Sequence, residues 1–421
     1  MSAIHWRGVL LGGLLFAATA TSVAAQEQDL LTLEGALVRA GASEDLDQQR
    51  QGPELNPRII GPRADKEAAE ALVGQARLRP NPEVSFEAEN IAGTGAFSGL
   101  RATEYTLAVG QRIELGGKRS ARVRAAEAEA RVTSLRGDLS LAELGFSVRE
   151  RYVSAAAAAA RVELAQDIVG RNRELTRIAD LLVETGREPP LRALRAKAAL
   201  AEAEAELQAA EAASIAARAA LGSLLSASET LPSVPPDIPH IEPPAGLVAS
   251  EDTLRLQVAR AESAAAEAAI AREQSLRVPD PVISAGVRRF SESKDNAFLV
   301  GVAIPLPFRD RNQGNIAAAQ ARLRAATARE AIVRADFRQE VAQARAEFLA
   351  AEARVDTLSN TSLPQAEEAL RLVRIGYRAG RFPLIEVLSA AEARDAIRNA
   401  LIDAQETRGQ AAARLIRLSA L

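Results

Sequence analysis

The chain has 421 residues, a net charge of −3 and 48% hydrophobic residues, but only 3% aromatic residues. Alanine leads the apolar set; it fills little volume and favours helix, which points to closely packed helices and away from a bulky globular core. Near neutrality gives no electrostatic case for nucleic acid, the absence of cysteine excludes disulfides, thiolate sites and cysteine lipidation, and His5 and His240 are the only histidines.

Arg7 precedes an apolar run from Gly8 to Ala20, and the small residues Val23 and Ala25 suit cleavage before Gln26. Residues 1–25 are expected to be an export signal, because the run is short for a spanning anchor. Residues 26–60 form an N-terminal segment. It holds a short helix after Thr32, its candidate N-cap, and a polar loop over Gly41–Pro53. Residues 61–230 form a first unit. Its helix begins near Ala64 and stops at Arg79-Pro80-Asn81-Pro82.

There the period falls from about 3.6 to 2. Glu83–Glu89 alternates apolar and polar residues. In 104–115, Tyr105, Leu107, Val109, Ile113 and Leu115 share one face, opposite Glu104, Thr106, Arg112 and Glu114. With the Gly-rich loop 92–99 this reads as a hairpin over 82–115, its strands about ten residues long, as a tilted membrane strand requires. Gly116-Gly117 opens a helix over 118–184, on which Leu164, Ile168, Leu175, Ile178 and Leu182 form one stripe. Such a helix is roughly 100 Å long. A break at 185–190 and a helix over 191–225 complete the unit.

Residues 231–249 hold six prolines and read as an extended linker. Residues 250–421 repeat the pattern: helix to about Leu276, hairpin 281–306, long helix 315–378, break 379–383 and helix 384–418. The breaks Gly186-Arg187-Glu188-Pro189 and Gly380-Arg381-Phe382-Pro383 match at an offset of 194. This is an internal two-fold repeat.

No segment after the signal is long and apolar enough for a transmembrane helix, so membrane contact falls to the strands. Four strands cannot close a barrel, eight leave an interior filled by side chains, and twelve leave a lumen. Three chains are the least assembly that both closes and conducts. Phe86, Phe97, Tyr105, Phe290, Phe298 and Phe308 are half of the aromatic Phe and Tyr residues after the signal. They suit interfacial girdles; their strand preference accounts for them as well. The charged helices belong in an aqueous space, where seams such as Ala155–Ala160 let neighbours approach closely. A filamentous coiled coil also accommodates the helices, but leaves the hairpins without a role.

Over essentially the whole chain after the signal, these features resemble the TolC family of outer-membrane efflux ducts. Asn56-Pro57 and Leu78-Arg79-Pro80-Asn81-Pro82-Glu83 carry the N-terminal part of the likeness. Ile113-Glu114-Leu115-Gly116-Gly117-Lys118-Arg119 and the run from Ile304 to Gly314 are similar to the CzcC-like branch, which serves cobalt, zinc and cadmium export. The resemblance implies a mainly α chain with a small membrane β part. It implies a homotrimer with a shared twelve-stranded barrel in outer-membrane lipid and a long periplasmic helical barrel. It also implies docking to a periplasmic adaptor joined to an inner-membrane pump of the resistance-nodulation-division type.

The tips at Gly186, Arg187, Gly380 and Arg381 would face the adaptor. Tyr377 matches the family's gate tyrosine, and Glu386 an acidic ring position. The gate arginine falls on Phe382, beside Arg381, and a second acidic position on Ser389, so the entrance lock is expected to be weaker or built differently. Apart from the resemblance, three copies of Glu386 around one axis would attract cations. On an isolated helix the same residues serve as surface charge or packing.

Passive conduction requires no catalytic constellation, and none is legible. The Gly93–Gly99 loop lacks dinucleotide spacing, and Glu202-Ala203-Glu204-Ala205-Glu206 reads as a solvated face. No enzyme activity, cofactor, nucleic-acid partner or tight metal site is expected, and metal selection would rest with the pump. The competing class is a periplasmic adaptor, which needs a β-rich domain flanking one helical hairpin; within the duct class, drug or polypeptide export is the alternative.

Overall fold

The computed structural model describes residues 30–42, 56–225, 231–244 and 252–420. The expected signal, residues 1–25, and most of the expected loop 41–53 lie outside these residues.

Helix α1 (Leu33–Ala40) starts where Gly35 N donates to Thr32 Oγ1 at 3.1 Å, and it stops at left-handed Gly41. Helix α2 spans Pro57–Ala76 and so starts seven residues before the expected Ala64. Pro57 sits at the first helical position, where its missing N–H costs nothing. Asn56 caps this start and donates to the carbonyls of Ala40 and Leu224 at 3.1 and 2.8 Å.

Strands β1 (Glu83–Glu89) and β2 (Glu104–Arg112) form the first hairpin. Helix α3 runs unbroken over Lys118–Glu184, 67 residues, and α4 over Pro190–Gly222. Helix α5 (Leu254–Ser275), strands β3 (Val282–Phe290) and β4 (Asn296–Ala303), α6 (Gln313–Thr357), α7 (Leu363–Arg378) and α8 (Leu384–Ser419) complete the order. The expected single helix 315–378 is interrupted by a π turn at Leu358–Ser362. Pro364 follows at once; it offers no N–H to the ladder and its ring crowds the preceding turn, so the helix widens there.

The four strands make one antiparallel sheet in the order β1-β2-β3-β4. The main core gathers α1, α2, α3, α4, α5, α6 and α8, with Ala155, Ala156 and Ala157 fully buried. A Cβ on Gly409 would meet the Val153 methyls at 3.0 Å, so α3 and α8 touch through small residues. The Pro-rich segment 231–244 is extended but is no free tether: Val234, Ile238 and Ile241 enter this core. Leu31 N donates to Ser233 O, and Arg218 Nε to Pro232 O, at 2.8 and 2.7 Å. No helix among the described residues is long and apolar enough to cross a membrane.

Candidate functional site

The sheet is inside-out for a water-soluble protein. One face carries Val84, Phe86, Leu107, Val109, Val300 and Val302, all exposed; Phe298 and Val300 are 89% and 81% exposed. Cross-strand rows run Phe86–Leu107–Val287–Phe298 and Val84–Val109–Ala285–Val300. The other face holds a polar cluster. Arg288 Nε donates to Thr106 Oγ1 at 2.9 Å, and its two terminal nitrogens pair with Glu104 and Glu89 at 3.0 Å. An apolar outer face and a satisfied polar inner face suit a strand between hydrocarbon and an aqueous lumen.

Phe86, Tyr105 and Phe298 lie on this face, while Phe97 sits in the first hairpin loop, Phe290 ends β3 and Phe308 lies beyond β4. Phe86 and Phe298 share its middle row, and Phe86 stacks on Tyr105 with centroids 6.1 Å apart. Cross-strand packing places them there.

Where strands enter helices, charges are paired. Asp280 accepts from Leu115 N at 2.9 Å and pairs with Lys118 at 2.7 Å, with both side chains largely covered. Arg122 pairs with Glu114 at 2.5 Å and donates to Ala76 O and Leu78 O, tying the end of α2 to the start of α3. The Glu114 carboxylate raises the Arg122 guanidinium above its ordinary value. Beyond β4, Asn312 Nδ2 donates to Glu273 O and Oε2 at 2.8 and 2.9 Å. Asn312, then Arg272, hold Glu273 below the usual carboxylate range.

The two helical breaks share one backbone design. Gly186 and Gly380 are left-handed, at φ 67 and 71. Arg187 N reaches back to Leu182 O at 2.9 Å, and Arg381 N to Gly376 O at 2.8 Å. Pro189 and Pro383 then N-cap α4 and α8. Arg187, Arg381 and Glu386 are exposed. Glu386 lies in the first turn of α8, where the helix dipole favours a carboxylate. Tyr377 is half-buried against the cluster of Leu370, Val387 and Ala391. The Phe382 ring covers Gly376, where an added Cβ would fall 2.2 Å from Cδ2. Tyr377, Phe382 and Glu386 are thus gathered at one tip, with Tyr377 and Phe382 engaged in its packing.

Sequence reasoning missed the clamp above this tip. Asp395 is buried on α8, bonded to Arg171 of α3 and to Arg394 at 2.7 Å. Arg161 adds pairs to Asp403 and Glu406, and Arg398 to Asp167, each at 2.7 Å. A carboxylate in a charge-rich helix carries no sign of burial until its neighbour is known. The Arg288 cluster was more accessible: Glu89 and Glu104 flank the hairpin loop, and pairing the strands would have found it. No group of three His, Cys, Asp or Glu side chains suited to a metal ion occurs among the described residues.

A family model described as outer membrane efflux protein matches residues 50–227 and again 249–420. The chain is similar to the cobalt-zinc-cadmium resistance protein CzcC of Cupriavidus metallidurans, with 31% identity over 86% of this chain and 83% of that relative. It is similar also to the nickel-cobalt-cadmium resistance protein NccC of Alcaligenes xylosoxydans xylosoxydans, with 32% identity over 68% and 65% of the two chains. Its fold is like that of the outer membrane protein VceC of Vibrio cholerae, with a TM-score of 0.73, 21% identity, and 92% and 96% of the two chains covered.

Proposed function

The chain belongs to the outer membrane efflux protein family, and from that premise we propose that it is the outer-membrane channel of a tripartite system exporting divalent heavy-metal cations. The protein stands in the outer membrane with its helices in the periplasm. The observation that carries the reading is the sheet: its exposed apolar face suits lipid, and the outer edges of β1 and β4 have no strand partner among the described residues. Unpaired strand edges are not tolerated in hydrocarbon, and four strands cannot close. Three copies would give a shared twelve-stranded barrel and, below it, a helical tunnel. The double family match supports two repeats per chain, 61–230 and 250–421.

The channel adds no energy of its own. An inner-membrane pump of the resistance-nodulation-division type would drive transport through a periplasmic adaptor that meets the tips at Gly186, Arg187, Gly380 and Arg381. Three Glu386 carboxylates about the axis would favour cations at the entrance. Tyr377 and Phe382 would shape that entrance by packing, with Arg381 exposed beside them. The metal assignment draws on the relatives' names; the chain itself holds the ion only in passing.

A deletion strain tests the reading. Growth should become sensitive to zinc, cadmium or cobalt and unchanged toward drugs; drug sensitivity alone would overturn the metal assignment. Detergent-solubilised protein should be trimeric by mass, and a stable monomer would remove the shared barrel.

A further inference from the structure

The two hairpins sit in matching frames. Helices α2 and α5 end with C-caps at Arg77 and Leu276. The turns Pro80-Asn81-Pro82 and Pro279-Asp280-Pro281 follow, and β1 and β3 begin at Glu83 and Val282. All three marks are 199 residues apart. Val84 pairs with Val109, and Ile283 with Val302, so β2 maps onto β4 with an offset of 193. Inside the chain the repeats meet where β2 pairs with β3, for example at Val109↔Ala285 and Ala108↔Gly286. Carrying that pairing through the two offsets gives the one that β4 would make with β1.

We infer that β4 of one protomer pairs antiparallel with β1 of a second copy in the register Ile304↔Val84, Val302↔Phe86, Gly301↔Glu87 and Val300↔Ala88. The inference rests on the shared barrel proposed above and specifies its seam.

Two observations favour this register over its neighbours. First, it keeps both apolar faces on one side: Val84 and Phe86 stand beside Ile304 and Val302, all exposed in the single chain. A slip of one residue would turn one strand's apolar face into the lumen. Second, it preserves a glycine at the tightest crossing. Within the chain, a Cβ on Gly286 would lie 2.7 Å from the Ala108 Cβ and 2.5 Å from Leu107 O. In the second-copy seam the corresponding residues are Glu87 and Gly301. The glycine has changed strands, and the crossing again carries one Cβ. A slip of two residues would set Glu87 against Leu299 or Ala303 and lose that fit. The edges also lack the usual protection against pairing, since Val84, Phe86, Ala88, Phe298, Val300 and Val302 offer neither charge nor proline outward.

The absence of cysteine makes the test direct. Facing residues have Cβ atoms about 4.5–5.5 Å apart, closer in the non-hydrogen-bonded pairs, which is near the reach of a disulfide. Adjacent pairs alternate between the two geometries, so two combinations cover both: Phe86→Cys with Val302→Cys, and Ser85→Cys with Ala303→Cys. After copper-phenanthroline oxidation of outer membranes, at least one should give a reducible ladder of dimer and trimer on denaturing gels. Phe86→Cys with Val300→Cys or with Ile304→Cys should give none. Val109→Cys with Ala285→Cys should close within the chain and give no ladder. A ladder from a shifted pair, or none from either predicted pair in protein that is trimeric by mass, overturns the register. Protein that is monomeric by mass and gives no ladder from any pair overturns the shared barrel instead.

Discussion

The two helical tips have the same backbone and different chemistry. Each ends its long helix at a left-handed glycine and resumes after a proline, and their turn hydrogen bonds match at an offset of 194. Even an ion pair is repeated: Glu174–Arg177 and Glu368–Arg371 both close at 2.7 Å. The side chains at the turn diverge. Leu182 and Glu188 in the first tip stand where the second has Gly376 and Phe382. Glu188 pairs with Arg192 at 2.6 Å, whereas Glu386, which stands at the position of Arg192, makes no side-chain hydrogen bond or ion pair among the described residues. Asp395, which clamps α8 to α3, stands opposite Ala201 in the register of the repeat. A duplicated scaffold thus pairs the carboxylate of Glu188 at one tip and presents the open carboxylate of Glu386 at the other.

The clamp offers the hardest way to break this contrast. Asp395→Ala would leave Arg171 and Arg394 covered without their carboxylate. A loss of about 3–5 kcal/mol is expected, read as faster hydrogen exchange along the lower half of α8, with α4 unchanged. Equal loosening of both coils would deny the second coil its special attachment. Overpacking comes next. Gly376→Leu should cost about 1–3 kcal/mol through its clash with Phe382, and adding Phe382→Glu, which copies the first tip, should recover most of it. A double-mutant cycle on thermal unfolding measures the coupling, and strict additivity would show that the two positions do not exchange volume.

Glu386→Ala should leave stability nearly unchanged and lower the cation-over-anion permeability ratio at least about threefold in planar bilayers, as expected when three like charges leave one constriction. Arg192→Ala at the first tip should not move that ratio. Unchanged selectivity in Glu386→Ala would return this residue to the role of surface charge. Glu188→Gln should cost only about 0.3–0.5 kcal/mol, since the pair is partly exposed.

The smallest effect is one of likeness. Hydrogen bonds from Arg177 and Arg371 lower the pKa of Glu174 and Glu368. Their contribution is present above the ordinary carboxylate range and is lost as pH falls through the lowered folded values. Both carboxylates should titrate alike by NMR, and a clear difference would show that the two coils are not equivalent there.

Much of the architecture was legible in the residues. Alternation located all four strands, and glycine with proline located both breaks, because these signals are local. The π turn was missed although Pro364 is visible, since a proline inside a long helical pattern does not say whether the chain kinks, stops or widens. The burial of Val234, Ile238 and Ile241 was hidden by the prolines around them. Tyr377 and Phe382 were singled out by analogy, yet their packing on Ala391 and Gly376 depends on the angle at which α7 meets α8.

By itself, the sequence determined which segments are helix and which are strand, where the repeat turns, and that one face of each strand is apolar. Those properties follow from periodicity and from the few residues that tolerate a left-handed backbone. Only the tertiary structure decided that the apolar face is exposed while Arg288 is satisfied behind it, that Asp395 is clamped while Glu386 stays open, and that β1 and β4 are the free edges. Each of these depends on which distant segment lies alongside, and spacing along the chain does not encode that.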